Sequence, residues 1–179
     1  MSRPAPVPIR VVLLVGMMGA GKTSVGRATA RLLGWPYLDN DDQIRRLAGV
    51  APPEVASRLG VEELHRLERA ALEAALEHPG PLVASAAGSV VDDVAWRQRH
   101  GPEVLVVWLR ARPETLLARV GAGASRRAEA RSATWTTSTL ARREPALAAL
   151  ADLVIDVDDR SVDRCAAVLV SMIDGRGRG

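Results

Sequence analysis

Residues 11–23 read VVLLVGMMGAGKT, and the fold of the chain follows from this stretch. Arg10 to Val15 is a short run with Val-Val-Leu-Leu-Val at its heart, the pattern of a strand buried on both faces. Gly16-Met17-Met18-Gly19-Ala20-Gly21-Lys22-Thr23 follows it, a glycine, four residues, then Gly-Lys-Thr. A helix is predicted from about Lys22 to Leu33, stopped by Gly34 and Pro36. A phosphate chain carries several negative charges and many acceptor oxygens. Backbone N–H groups surround it only if the chain curls tightly with no side chains in the way, and Gly16, Gly19 and Gly21 permit that curl. The next helix points its positive end at the phosphates. Lys22 is then placed to neutralise the β- and γ-phosphates, and the Thr23 hydroxyl to ligate Mg²⁺. The predicted nucleotide set is Gly16, Gly19, Ala20, Gly21, Lys22, Thr23 and Ser24, for ATP with Mg²⁺. Met17 and Met18 read as loop packing.

Working outward, Tyr37-Leu38 starts a second strand that ends in Asp39-Asn40-Asp41-Asp42. A helix opens there and runs to about Leu47. Pro52-Pro53 begins a short helix that Gly60 breaks, and a long amphipathic helix runs from Val61 to about His78, with Leu64, Leu67 and Ala71 inward. Pro81–Ser85, Glu103–Leu109 and Asp152–Asp156 read as three more strands. Helices are predicted from about Val91, Pro113, Thr139 and Ser161. Residues 121–137 have no apolar period and read as a mobile lid, in which Trp135 either packs loosely on the domain or covers the site. Strands alternating with helices imply an α/β fold, three layers with a five-stranded parallel sheet between helices.

The chain has 179 residues, 47% of them hydrophobic and 25% charged, the balance of one globular domain. Residues 1–8 read as a flexible, Pro-rich N-terminus without the apolar core of a signal peptide. Of 24 basic residues only Lys22 is lysine, and the net charge is +3. No basic run alternates with aromatics, so no nucleic-acid partner is predicted. No apolar run reaches the roughly 18 residues of a membrane span, so no membrane partner is predicted either. Cys165, the one cysteine, lies at helical spacing with Val162, Ala166 and Leu169 and reads as a buried core thiol in a reducing cytoplasm. A monomer is expected.

Asp39 and Asp41 stand at the end of strand two, on the edge of the sheet that the phosphate loop also defines. Two residues apart on an extended chain, they would point the same way. One could hold a magnesium water and the other orient or deprotonate an acceptor hydroxyl. Asp39 or Asn40 could equally cap the next helix, a role compatible with either function.

The segment LLVGMMGAGKTSVGRATARLLGWPYLDNDDQIRRLAG, residues 13–49, together with RPETLLARV (112–120) and ADLVIDVD (151–158), resembles the shikimate kinase family of P-loop kinases. The resemblance runs from about Val11 to Ile173. It implies that Asp39 sits near the magnesium and that Asp41 contacts the acceptor hydroxyls. It also implies that Arg119 stacks on adenine, that the lid residue Arg126 reaches the phosphates, and that Arg143, in ARREPAL, binds the acceptor carboxylate. His65, Ala87 and Gly88 fall at the remaining acceptor positions.

Three departures fall on that acceptor half. The family's Gly-Gly-Gly turn is Ala86-Ala87-Gly88 here, which would strain the alanines if their φ were positive. The family's carboxylate-binding arginine on the long helix is His65, whose imidazole cannot copy a bidentate fork. Arg126-Arg127 replaces the usual Arg-Pro. The expected function is ATP-dependent phosphorylation of a hydroxyl on a small metabolite, with Lys22, Asp41 and Arg126 carrying the chemistry and shikimate the best named acceptor. A kinase for another cyclitol, sugar acid or polyol, a nucleotide-binding pseudoenzyme, and an NTPase switch that signals through a partner are the alternatives.

Overall fold

The structure is a computed structural model that describes residues 7–92, 101–121 and 132–177. Five parallel strands form one sheet in the order β2-β3-β1-β4-β5. They are β1 (Val11–Val15), β2 (Tyr37–Leu38), β3 (Leu82–Ser85), β4 (Val104–Arg110) and β5 (Leu153–Asp156). The apolar run chosen from sequence is the central strand, with Leu13 level with Ala84 of β3 and Val106 of β4.

Strand geometry sends alternate side chains to opposite faces, and the core divides accordingly. Val12 and Leu14, with Leu105, Val107 and Leu109, pack against Val25, Cys165 and Leu169. Val11, Leu13 and Val15, with Val104, Val106 and Trp108, pack against Leu72 and Leu147. The first face is covered by α1 (Lys22–Leu33) and α7 (Val162–Gly177), the second by α4 (Val61–Leu76) and α6 (Ala133–Leu150). This is the predicted three-layer fold. Helices α2 (Asn40–Ala48), α3 (Pro52–Leu59) and α4 share a small third core of Ile44, Val55, Leu64 and Leu67. Helix α5 (Pro113–Gly121) follows β4. Cys165 is buried, and that burial pushes its thiol pKa up. Among the described residues no helix is long and apolar enough to cross a membrane.

Two expectations need correction. The helix predicted from Thr139 begins at Ala133, with the Ser132 hydroxyl capping the Trp135 N–H at 3.4 Å. Its first inward positions are Thr136, Thr139 and Arg143, and only then Leu147 and Leu150. A helix whose inner face opens with polar residues carries no apolar period, so the reading of 121–137 as one unpacked stretch was too long at its C-terminal end. Residues 122–131 lie outside the described residues. At Val91, where a helix was expected to begin, the chain forms a 3₁₀ turn, Gly88–Asp92, and residues 93–100 lie outside the described residues.

Gly26, in the middle of α1, fixes how closely β2 approaches. A Cβ there would overlap the Tyr37 ring at Cε2 and lie 3.1 Å from Leu14 Cδ1. The ring cannot swing freely, because its hydroxyl is bonded to Asp39 and Ser85. Gly26→Ala is expected to destabilise the protein. Overpacking of about 1–3 kcal/mol should exceed the roughly 1 kcal/mol that alanine gains in helix propensity. A urea midpoint below wild type checks this; one at or above wild type would mean that the ring moves aside at little cost.

Candidate functional site

The carboxyl ends of β1, β2 and β3 open on a cleft of about 520 Å³. Ligands of open α/β sheets bind at this end, beside the point where the strand order reverses. One wall is the phosphate loop, with Gly19, Gly21, Lys22, Thr23 and Ser24. Gly16, Gly19 and Gly21 have φ of 141°, 86° and 89°, which L side chains rarely adopt. Lys22 Nζ arches back over the loop and donates to the carbonyls of Gly16 at 2.8 Å and Met17 at 3.1 Å.

The floor is a hydrogen-bonded group centred on Asp39, which is 7% exposed. Thr23 Oγ1 donates to its Oδ2 at 2.9 Å, and the Tyr37 hydroxyl is 3.0 Å from the same oxygen. The Asp41 N–H donates to Oδ1 at 2.9 Å, so Asp39 also caps α2. The two residues proposed from sequence as metal ligands are therefore in contact, and both offer hard oxygen donors of the kind Mg²⁺ prefers. Tyr37 is additionally 3.0 Å from Ser85 Oγ. Burial raises the phenol pKa well above its ordinary value; the Asp39 charge adds to the rise, and the Ser85 bond opposes it. Asp39 and Asp41 both line the cleft. The geometric reason differs from the one read in sequence. The strand ends at Leu38, Asp39 is the cap and Asp41 lies in the first turn of α2, so the alternation of an extended chain does not align them.

The opposite wall carries Glu68 of α4, Ala87, Gly88, Ser89, Trp135 and Arg143. Glu68 is 3% exposed, and its carboxylate accepts a hydrogen bond from Ser89 Oγ. Gly88 is squeezed between two parts of the site. A Cβ there would stand 3.2 Å from Gly16 O and 3.3 Å from Arg143 Nη1. The alanines before it carry no backbone strain, since among the described residues none but glycine has positive φ. Both alanines are buried in the second core cluster, and Ala87 also lines the cleft. Arg143 is buried and bonded to Asp92.

Two smaller cavities flank the cleft. One, about 250 Å³, is lined by His65, Glu68, Arg69, Ser89, Val90 and Asp92. His65 therefore stands behind Glu68 and Ser89, in a cavity that shares both with the main cleft. The other, about 210 Å³, lies on the outer side of the phosphate loop between Ala20, Ser24, Arg119, Val157 and Arg160. Arg119 Nη2 donates to Val157 O at 3.0 Å there, and Arg119 borders the main cleft as well. Arg126 and Arg127 lie outside the described residues.

The sequence reading missed Tyr37, Ser85, Ser89 and Asp92 as members of the site. Each acts through a partner remote in sequence, such as Ser85 for Tyr37 or Arg143 for Asp92, and no spacing rule reports that. Trp135 is half-buried at the start of α6, packed on the first core cluster and facing the cleft, instead of lying in an unpacked stretch.

Comparisons with known proteins agree on one family. The family model described as shikimate kinase matches residues 18–174. A shikimate kinase of Moorella thermoacetica is 37% identical over 83% of this chain and 86% of its own length. One from a Synechococcus species is 31% identical over 92% of this chain and 86% of its own. Among solved structures, shikimate kinase from Acinetobacter baumannii in complex with shikimate superposes with a TM-score of 0.82 at 26% identity, covering 96% of each chain.

Tyr37 is the one tyrosine of the chain, so its ionisation can be followed alone. A folded-state pKa raised above the unfolded value means that the neutral phenol contributes stability fully present below about pH 10, and lost as pH rises beyond it. The tyrosinate absorbance of the native protein should thus stay flat through pH 10 and rise only when the protein opens, while the urea-unfolded chain titrates near pH 10. A native titration near 10 would contradict the buried, bonded phenol.

Proposed function

The chain belongs to the shikimate kinase family, and from that premise we propose that it transfers the γ-phosphate of ATP to a hydroxyl of shikimate, giving shikimate 3-phosphate and ADP. As a member of that family it is a small-molecule kinase. The observation that carries the choice of acceptor site is that one cleft joins the phosphate loop to Asp41, Ala87, Gly88 and Arg143. A nucleotide site and an acceptor site that open on the same space allow direct in-line transfer, where positioning and electrostatic stabilisation supply most of the catalysis.

In this reading Gly16 to Ser24 hold the phosphates of ATP with backbone N–H groups. Lys22 exchanges its bonds to the Gly16 and Met17 carbonyls for phosphate oxygens. Arg119 lies along the base, in the cavity beside Val157. Thr23 and Asp39 would hold Mg²⁺, and the ion would supply charge neutralisation on the phosphates. Asp41 orients the acceptor hydroxyl and accepts its proton as the oxygen attacks phosphorus and the bond to the ADP oxygen breaks. Arg143 takes the acceptor carboxylate, with His65 behind that wall, and Ala87 and Gly88 floor the ring. The assignment of Arg126 to the transferring phosphate rests on the family resemblance. The same reading treats the chain as a single domain that works as a cytoplasmic monomer with no nucleic-acid or membrane partner. It is supported by the buried single cysteine and the absence of a membrane-length apolar helix among the described residues.

The test is ADP release with shikimate, quinate, gluconate and cyclitols offered in parallel. Shikimate should give the highest kcat/KM, and ADP release without transfer to any of them would reject the reading. Asp41→Asn should lower kcat by roughly 10²–10⁴, the usual worth of a general base, with little change in ATP affinity. Lys22→Ala should abolish turnover without unfolding the protein. A near-normal kcat in Asp41→Asn would leave that residue only its place in the first turn of α2.

A further inference from the structure

The acceptor wall contains an anion of its own. Arg143 emerges from α6 with its side chain only 9% exposed, and both its Nε, at 3.2 Å, and its Nη2, at 2.8 Å, donate to Oδ2 of Asp92. Asp92 closes the 3₁₀ turn that begins at Gly88. Its other oxygen, Oδ1, accepts from Nη1 of Arg142 at 3.1 Å. One carboxylate thus bridges two consecutive arginines, one buried and one exposed.

A guanidinium binds a carboxylate best along one edge, with two parallel N–H groups. The Nε–Nη2 edge of Arg143 is such an edge, and Asp92 occupies it. The remaining terminal nitrogen, Nη1, lies against Gly88, which lines the cleft. A buried guanidinium needs a counter-charge, because leaving it unpaired costs several kcal/mol. Asp92 supplies that counter-charge from within the chain, from the side of the flanking cavity that it lines with His65. The neighbouring charges reinforce the effect. Glu68 is buried in the same wall, and the long-helix position that the family fills with arginine carries His65. Asp92 is itself 39% exposed and has a second cation in Arg142, so it can let go of Arg143 without losing its only partner.

We propose that Asp92 is a specificity-determining residue of the acceptor site, an internal carboxylate that competes with the acceptor's carboxylate for Arg143. Anionic acceptors bind by shifting Asp92 onto Arg142, and their affinity is set by that exchange. Acceptors without a carboxylate leave the Asp92–Arg143 pair intact and pay no such penalty. The inference rests on the reading of this site as one that takes a carboxylated acceptor on Arg143.

The experiment compares shikimate with its methyl ester, which keeps the ring and hydroxyls and lacks the charge. Dissociation constants for both are measured by calorimetry on wild type, Asp92→Asn and Asp92→Ser, with thermal unfolding to show that each variant is folded. Asn retains the shape of Asp92, and Ser serves if Asn distorts the turn. Removing the competing charge should tighten shikimate binding about tenfold or more, the worth of a charge-assisted hydrogen bond, and change the ester's by less than about twofold. If wild type phosphorylates shikimate but both variants bind it equally or more weakly, Asp92 orients Arg143 and does not compete with the substrate, and the inference is overturned. Equal tightening of acid and ester overturns it too, since the effect would then be indifferent to the carboxylate. If wild type and variants alike neither bind nor phosphorylate shikimate, the reading of the acceptor falls, and the inference falls with it.

Discussion

The arrangement of this protein depends on how close the phosphate loop lies to the backbone around it. A Cβ on Gly16 would stand 2.6 Å from the carbonyl oxygen of Leu109, at the end of β4, and one on Gly19 would stand 2.8 Å from that of Leu116, in α5. Both residues also have positive φ. Backbone packed on backbone leaves no freedom to yield, so the loop is held in a single shape by the sheet and by the helix after the neighbouring strand. That shape turns the chain from β1 into α1 with the helix N-terminus facing the cleft, where its first-turn N–H groups and dipole favour an anion. Lys22 and Thr23, first in the helix, inherit their positions from it. The fully buried β1 anchors one end of the loop, and Gly26 against Tyr37 brings the second strand in close beside the helix.

From that loop the cleft is organised outward by pairs that reach across the chain. Thr23 meets Asp39, Tyr37 joins Asp39 to Ser85, Glu68 takes Ser89, and Arg143 takes Asp92. Each links the end of one strand or its following turn to another element. Asp39 serves two structures at once, since one oxygen caps α2 and the other receives the Thr23 and Tyr37 hydroxyls. A carboxylate with both oxygens engaged is held to one rotamer. Substituting it would disturb helix start and site together.

How much of this was legible in the sequence depends on the range of the signal. The central strand, the phosphate loop and α1 were read at the residue level, because apolar runs, glycine spacing and stop residues act within a few positions. The Lys22–Leu33 helix and the Pro52–Leu59 helix were found at those bounds for that reason. The start of α6 was misplaced because its buried face begins Thr136, Thr139, Arg143, of which Arg143 lines the cleft. Polar residues at those buried positions interrupt the hydrophobic pattern on which the reading relies. The conditional strain at Ala86 and Ala87 failed for a related reason. The turn after β3 is crowded at Gly88, where Gly16 and Arg143 approach, and the two residues before it keep ordinary backbone angles.

The cations in the two halves of the cleft also make different hydrogen bonds. On the nucleotide side Lys22 donates to the carbonyls of Gly16 and Met17, and Arg119 to that of Val157. Exchanging such a carbonyl for a phosphate oxygen swaps a dipole for a full negative charge, so the exchange favours the ligand. On the acceptor side Arg143 is held by a carboxylate, and replacing one carboxylate with another is close to neutral in Coulomb energy. In the proposed reading, binding in the second half depends on geometry and on how readily Asp92 transfers to Arg142. A kinase gains from that division. The nucleotide common to many enzymes can be held by general electrostatics, and the choice among small polyhydroxylated acceptors is left to a site where charge alone does not secure binding.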